Sequence, residues 1–597
     1  MLAGSTLLAP RRRDLDFQLY EVLDLAGILK LPYFAENDRS TADAIVDAAY
    51  ELAADYFEPS AAELDAYEFR LQDGALTTPP RLRSALGALV EAGFFGVSFS
   101  SEDGGLQLPM LLTTAIGLAF AGSNNSAYAY AQLTTAAAHL LAIFGDGEQR
   151  RLWMRPLIEG RYFGTMALSE PQAGSSLGDI TMAAEPAADG TYRLRGSKMW
   201  ISAAEHDLAE NIVHLVLAKI PGAPAGVKGI SLFIVPKFLV DACGTIARRN
   251  DAWVTGLNHK LGQRGVVNTV LTLGERGECV GYLVGAPHDG MRQMFQMMNE
   301  SRVNIGANAV ALSLAAYEYA LRYAKDRPQG RSLSDKNPLG PAVPIVEHPD
   351  VRHMLLRQKA IAEGGLALVL YCAALVDEAT AAHEKTQREE AELLLDVLTP
   401  VAKTWPSERG VESTSLAIQV LGGYGYSPEY PLERHFRDQR LNPIHEGTTG
   451  IQALDLLGRK LRLKDGAGLR LLSRRIEAEI AAAREVSGLE EEATHLQAAL
   501  ETLLRVSATL LAAQAELGAE RALSGATLFL DAFGSIVVAW RWLAQARRAA
   551  GNPSDFAAGK LAACRYFFRH LLADAEVALE RLEKLDDYVW DVRPEFL

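Results

Sequence analysis

The amino-acid sequence predicts a multidomain α+β protein, mainly α, in the order helices, antiparallel β domain, helices and further helices. Three observations carry this expectation. Apolar residues recur at helical spacing on both sides of a central stretch. Between about 164 and 285, β-branched residues and short alternating runs dominate. A Gly-rich break around Lys464, Asp465, Gly466, Ala467 and Gly468 opens a last segment dense in Ala, Leu and Glu. A chain of 597 residues has room for about four domains at roughly 150 residues each.

In chain order, residues 1–40 read as an N-terminal extension and 41–163 as an α domain. Ile45, Ala48, Ala49, Leu52 and Ala53 form its first buried stripe, and Glu102, Asp103, Gly104 and Gly105 mark a break between helices. The β domain, 164–285, holds the alternating Tyr192, Arg193, Leu194 and Arg195, the apolar run from Ile230 to Val235, and a second run over 266–273. Helical periodicity returns over 286–463, interrupted by a Pro-, Gly- and Ser-rich loop at 328–344. The segment 467–597 reads as an extra helical bundle, with Leu500, Leu503, Leu504, Ala508 and Leu511 at helical spacing. No fixed-period repeat points to a solenoid or propeller.

Composition narrows the function classes. Apolar residues make up 49% and charged residues 22%, which excludes a wholly disordered or collagen-like chain. With 59 Lys and Arg against 74 Asp and Glu, the formal net charge is −15. An acidic surface argues against nucleic acid or an anionic membrane as partner, since both select a basic footprint. From Gly466 onward 15 basic residues face 19 acidic ones, so the last bundle is not a basic arm either. No uninterrupted apolar run reaches the roughly 18 residues of a membrane span, so no membrane insertion is expected. Cys243, Cys279, Cys372 and Cys564 are scattered, have no metal-ligand spacing and are expected to be reduced thiols. Arg11, Arg12 and Arg13 follow the short apolar stretch at Leu7 and Leu8, the reverse of a secretory signal, so the expected compartment is the cytoplasm.

The chemistry-bearing segment lies late in the chain. Gln419, Val420, Leu421, Gly422, Gly423, Tyr424, Gly425 and Tyr426 form a Gly-rich stretch without the strand-to-helix context of a dinucleotide fingerprint, which argues against NAD. Further on, Ile444, His445, Glu446, Gly447, Thr448, Thr449 and Gly450 place a lone carboxylate in a turn that opens onto a helix. Backbone N–H groups and hydroxyls at a helix start suit an anionic or carbonyl ligand. A carboxylate withdrawn from water becomes a usable base near neutral pH.

At these residues the chain resembles the acyl-CoA dehydrogenases, over about 41–463. His445, Glu446, Gly447 and Thr448 match the family turn that carries its catalytic glutamate. Leu168, Ser169, Glu170, Pro171, Gln172, Ala173, Gly174 and Ser175 are similar to its Glu-Pro signature, and Lys198, Met199, Trp200, Ile201 and Ser202 to its Trp-containing element. Leu261, Gly262, Gln263 and Arg264, then Glu300, Ser301 and Arg302, fall between them in the family order. The extra N-terminal arm and the Ala-rich C-terminal bundle resemble a long bacterial branch, that of 3-methylmercaptopropionyl-CoA dehydrogenase-like proteins.

The resemblance implies the acyl-CoA dehydrogenase fold: N-terminal helical domain, middle β domain and C-terminal four-helix bundle, here with the additional bundle. It implies FAD as cofactor and an acyl-CoA as substrate. Glu446 removes the α-proton while the β-hydrogen leaves as hydride to flavin N5, giving a trans-2-enoyl-CoA. Hydrogen bonds to the thioester carbonyl from the Glu446 backbone N–H and the FAD ribityl 2′-hydroxyl stabilise the enolate; fixed donors of this kind are worth about 3–4 kcal/mol each. Met166, Leu168 and Ser169 are implied at the flavin edge, Trp200 and Ser202 over its face and N5. Arg327 and Gln329 are implied at the FAD pyrophosphate of a neighbouring subunit, Gln419 and Gly423 across the subunit interface, and Thr448 and Gly450 near the cofactor within the chain. Ser175 and Arg302 are implied to hold the CoA moiety, Asn299 its pantetheine arm, and Gly447 the substrate end of the turn. Electrons pass to an electron-transfer flavoprotein, and the extra bundle implies a homodimer. An oxidase-like use of O2 keeps the same residues. A flavin-fold protein that binds nucleic acid is disfavoured by the acidic last segment.

Three positions depart from the family pattern: the run Arg327, Pro328, Gln329, Gly330 lacks an aromatic, Gly450 replaces a longer polar residue, and Ser176 stands where Asp is frequent. His445 precedes the base where Tyr is common, and is expected to pack the turn.

Overall fold

The computed structural model describes residues 12–334, 337, 339–585 and 588–597, with the side chains of 295–300 outside the described set. The chain divides into two units, one of Asp47–Leu108 and Ala119–Ser301, the other of Met1–Val46, Pro109–Leu118 and Arg302–Leu597.

The first unit is built around an 8-stranded sheet. Its strands run in the spatial order Ala252–Leu257, Asn268–Leu273, Tyr192–Ser202, Val280–Leu283, Ile230–Pro236, Asn211–Lys219 and Tyr162–Ala167, with Ala183–Pro186 paired to Tyr192–Ser202 and, at one residue, to Asn211–Lys219. Ile230–Pro236 is buried along its whole length, which is why it reads as a continuous apolar run instead of alternating. Most pairs are antiparallel, as expected, but Tyr162–Ala167 runs parallel to Asn211–Lys219, from Tyr162↔Asn211 to Ala167↔Val216. A parallel pair needs a long crossover, which the intervening strands supply. The helical stretch before the sheet also contains a two-residue hairpin, Leu71–Gln72 against Ala75–Leu76.

The Met110–Phe144 helix is interrupted at Asn124, which leaves helical geometry at φ −155° and ψ 92°. Its side-chain oxygen accepts from Ala127 N at 3.1 Å, capping the helix as it restarts, while its amide donates to Ser60 Oγ at 2.8 Å.

The second unit is helical. Gly290–Asp326, which enters it at Arg302, packs with Pro349–Ala381 and Lys385–Leu421, and the short Thr449–Gly458 leads into Ala467–Arg484, Glu490–Glu516, Ala526–Ala549, Asp555–Phe567 and Ala573–Glu583. One apolar core serves all of them: Leu368, Leu398, Trp405, Leu472, Leu500, Phe533, Trp542 and Leu579 belong to a single cluster. Two tryptophans cross from one set of helices to the other. Trp405 Nε1 donates to Ser535 Oγ and Trp542 Nε1 to the Ala360 carbonyl, each at 3.1 Å. Gly534 and Gly364 make room for the rings, since a Cβ there would lie 2.7 and 2.5 Å from Trp405 and Trp542.

The N-terminal arm closes this core. Gln18 Nε2 donates to Gln545 Oε1 at 2.7 Å, Phe17 stacks edge-on against Phe556, and Asp14 pairs with the fully buried Lys560, which also bonds Glu363.

Among the described residues, three helices are long and apolar enough on average to match a membrane span, because such a window tolerates a few polar residues. Pro349–Ala381, Glu490–Glu516 and Ala526–Ala549 qualify by length and composition, with 94%, 44% and 83% of their apolar windows buried inside the protein. In the first and third, that hydrophobicity is spent on the helical core.

Candidate active site

Glu446 sits where a helical run stops and another begins. The turn from Leu441 to Thr448 is closed by Ile444 N and His445 N on the Leu441 carbonyl, and by Thr449 N on the Pro443 carbonyl. Thr448 caps the Thr449–Gly458 helix through its hydroxyl. Glu446 itself has φ 52° and Gly447 φ 91°. A left-handed non-glycine residue costs of order 1–3 kcal/mol and persists only where its surroundings enforce it.

A chain of side-chain amides enforces it here. His445 Nε2 lies 3.2 Å from Asn442 Oδ1, Asn442 Nδ2 donates to Gln439 Oε1 at 3.2 Å, and Gln439 Nε2 donates to the Ser407 carbonyl at 3.1 Å. Asn442 and Gln439 are fully buried. On the far side, Gln452 Nε2 donates to the Glu446 carbonyl at 3.2 Å. The imidazole thus packs and ties the turn.

Glu446 is half-buried; desolvation of its carboxyl pushes its pKa up, while the Arg302 guanidinium and the Lys403 ammonium pull it down. Arg302, buried on the Gly290–Asp326 helix, also approaches Asp455 at 3.7 Å. The result is a carboxylate in a low-dielectric setting with cationic neighbours, able to accept a proton near neutral pH.

The other residues expected at the site divide by unit. In the sheet unit, Met166, Leu168 and Ser169 are half-buried, and Ser175 is exposed. Leu168 and Ser169 are fastened to the strand that bears Trp200. Lys198 Nζ donates to the Leu168 carbonyl and to Glu170 Oε1, each at 2.9 Å, and Met199 N donates to the Ser169 carbonyl at 3.0 Å. Glu170 further accepts from Thr181 N at 2.7 Å and Met182 N at 3.1 Å. Burial pushes the Glu170 carboxyl up, but Lys198 and these backbone donors outweigh it and hold it at about 2.

Trp200 is 60% exposed and has φ 65°. Asn268 Nδ2 fixes it by donating to its carbonyl at 3.2 Å, and lies at the same distance from Ser202 Oγ. Sequence reasoning missed Asn268, which carries no motif of its own. It also left Glu170 and Lys198 without a role, although both stand inside the motifs.

In the helical unit, Thr448 is exposed and Gly450 half-buried beside the base; Gln419 and Gly423 are exposed. The half-buried Arg327 has its guanidinium 5.3 Å from the Tyr424 ring centre, and its carbonyl accepts from Ile345 N. The exposed Gln329 is held through its backbone, by Val343 and by His348 Nε2 at 2.7 Å from its carbonyl. Asn299 lies on the Gly290–Asp326 helix, but its side chain is outside the described residues.

The residues present fit a flavin. An exposed indole held in a strained backbone offers a face for a planar ring. Within the sheet unit, the Ser169 and Ser202 hydroxyls lie on the backbone fastened to that indole and offer donors; within the helical unit, Arg327 by itself has the geometry to match a pyrophosphate.

Four family models match in order: acyl-CoA dehydrogenase N-terminal domain over 39–161, middle domain over 165–266 and C-terminal domain over 288–461, then an acetyl-CoA dehydrogenase C-terminal-like domain over 472–593. The chain belongs to the acyl-CoA dehydrogenase family. Within it, the chain is 35% identical to the 3-methylmercaptopropionyl-CoA dehydrogenase of Ruegeria pomeroyi, over 96% of this chain and 98% of that protein. It is 33% identical to the broad-specificity linear acyl-CoA dehydrogenase FadE5 of Mycobacterium tuberculosis, over 97% and 98%. Among solved structures, Caenorhabditis elegans ACDH-11 in complex with C11-CoA superposes with a TM-score of 0.75 at 20% identity, over 94% of this chain and 90% of that one. A Bacillus anthracis acyl-CoA dehydrogenase complexed with FAD gives 0.74 at 21%, over 95% and 91%. At such identities the structures speak to the fold.

Proposed function

We propose that the protein is a FAD-dependent acyl-CoA dehydrogenase in which Glu446 takes the α-proton of an acyl-CoA thioester, leaving a trans-2-enoyl-CoA. The observation that carries this reading is the desolvated Glu446 carboxyl in its left-handed turn, with two cations in attendance. FAD, when bound, supplies the acceptor for the β-hydride. Met166, Leu168, Ser169, Trp200 and Ser202, with Thr448 and Gly450, are our candidates to hold it, and Arg327, Gln329, Gln419 and Gly423 our candidates to reach the FAD of a partner subunit. For the acyl-CoA, Ser175 and Arg302 are our candidates to hold the CoA moiety, Asn299 its pantetheine arm and Gly447 the substrate end of the turn.

The work of the chain itself is to orient and to desolvate. An α-C–H beside a thioester is a weak acid, so the carboxylate must arrive ionised yet poorly solvated. Desolvation raises its basicity, and the Arg302 guanidinium opposes that rise. The Glu446 backbone N–H, turned by the positive φ, serves as one donor to the thioester carbonyl. Electrons then pass to an electron-transfer flavoprotein. We read the assembly as a homodimer in the cytoplasm: Tyr424, beside Arg327, and Tyr426 are 48% and 85% exposed and suit a partner subunit.

The test is anaerobic addition of a panel of acyl-CoAs, from short to long and including sulfur-containing chains, with bleaching of the yellow flavin band as readout. Glu446→Gln should keep FAD but slow bleaching by roughly 10²–10⁴-fold or more, the range for removing a positioned base. Undiminished bleaching in that variant would reject the assignment. Peroxide release with and without a dye acceptor separates dehydrogenase from oxidase behaviour.

A further inference from the structure

A second cation lies close enough to Glu446 to act on its charge, and nothing in the reaction above uses it as a contact. Lys403, on the Lys385–Leu421 helix, has no exposed surface. Its Nζ has no hydrogen-bond partner among the described residues. A buried ammonium with three unused donors is costly, and such a group persists where an electrostatic gain offsets it. Its placement is set by a proline and a glycine. Pro406 has no N–H to give to the Ala402 carbonyl, so that carbonyl is released from the helix ladder. Gly306 lies against it: a Cβ on Gly306 would stand 1.9 Å from Ala402 O. Gly306 is one turn beyond Arg302 on its own helix, so this close approach brings the Arg302 and Lys403 turns together. The same stretch holds the base. Ser407 Oγ donates to the Lys403 carbonyl at 2.5 Å, and the Ser407 carbonyl receives Gln439, the last link of the amide chain from His445.

We propose that Lys403 is a positioning residue for the catalytic base: its enclosed ammonium orients the Glu446 carboxylate and keeps it ionised between turnovers. The inference rests on the reading of Glu446 as the base. The charged groups around the pair are Arg302 from one helix, Glu408 from Lys403's own helix, Asp455 from Thr449–Gly458 and Arg459 just past its end. Arg302 acts on the base more strongly than Lys403 but is shared with Asp455, and Glu408 accepts from Thr449 Oγ1, whereas the Lys403 ammonium has no hydrogen-bond partner among the described residues. Burial pushes the Lys403 ammonium down to about 8, against the pull of Glu408 and Glu446.

The experiment compares FAD-loaded wild type, Lys403→Met and Lys403→Arg. The carboxyl band of Glu446 is followed by isotope-edited infrared spectroscopy, assigned by difference from Glu446→Gln, and the bleaching rate is followed against pH. A nearby opposite charge lowers a carboxyl pKa, so its loss in Lys403→Met should move both the infrared midpoint and the acid limb upward, by about one pH unit. Lys403→Arg should stay near wild type. Should Lys403→Met not fold, Lys403→Gln carries the same expectation. An unmoved infrared midpoint in a folded variant would overturn the proposal. Full activity of Glu446→Gln would instead overturn the base assignment, while the infrared midpoint still reports whether Lys403 governs that carboxyl.

Discussion

Replacing Lys198 by Met removes the ammonium that ties Leu168 and Glu170 to the strand bearing Trp200. The side chain is completely buried, and it bonds the Leu168 carbonyl and Glu170 Oε1 at 2.9 Å. Removing one partner of a buried pair leaves an uncompensated charge and costs about 3–5 kcal/mol. For a unit of this size each kcal/mol is worth roughly 2–4 °C in melting temperature, so the variant should lose about 6–20 °C. The assay is thermal unfolding by circular dichroism, with flavin release recorded in parallel. Adding Glu170→Gln should recover a good part of the loss, because the stranded carboxylate is then neutral. The pH dependence gives a second check. Glu170 is held below its unfolded pKa, so the stability it contributes is present above the ordinary carboxylate range and is lost as pH falls toward about 2. The wild-type and Lys198→Met melting curves should therefore converge as the pH is lowered. A single variant that melts within about 2 °C of wild type at pH 7 would refute the reasoning.

Asp377 offers a pH effect of the opposite sign. Its two oxygens accept from Met110 N and Leu111 N at 2.6 and 2.9 Å, yet burial pushes its carboxyl up to about 8. A carboxyl raised on folding contributes stability that is full below the ordinary range and is lost as pH climbs through about 8. Urea midpoints should fall between pH 5 and 8 in wild type and flatten in Asp377→Asn; equal slopes would refute this. Asn268→Ala should loosen Trp200 and Ser202, costing about 1 kcal/mol, or roughly fivefold in FAD affinity by fluorescence titration, with little change in melting temperature.

Much of the architecture was readable because each segment's period matches its environment. The helical stripes, the apolar run of Ile230–Pro236 and the Gly-rich break before Ala467 all correspond to elements seen. What could not be read were features that depend on pairing or on distant chain. The parallel direction of Tyr162–Ala167 leaves no mark on its residues. The membrane-length apolar helices were overlooked because scattered polar residues hide a hydrophobic average, and their burial is set by neighbours hundreds of residues away. Of the candidate site, motif residues such as Glu446 and Trp200 stand out in the sequence, because unusual residue types cluster there. Asn268 and Lys403 could not, since a single Asn in a strand or a Lys in a helix is ordinary until its surroundings are known.

The seating of the N-terminal arm carries a consequence for biosynthesis. Gln18 meets Gln545 across 527 residues of sequence, and Asp14 meets Lys560. At ribosomal rates of about 5–20 residues per second, the arm emerges roughly half a minute to two minutes before its receptor exists. During that interval Phe17 and its neighbours are uncovered apolar surface, a natural handle for a holdase chaperone. The sheet unit, whose residues all lie between 47 and 301, has no such wait and can condense while the remainder is still being made.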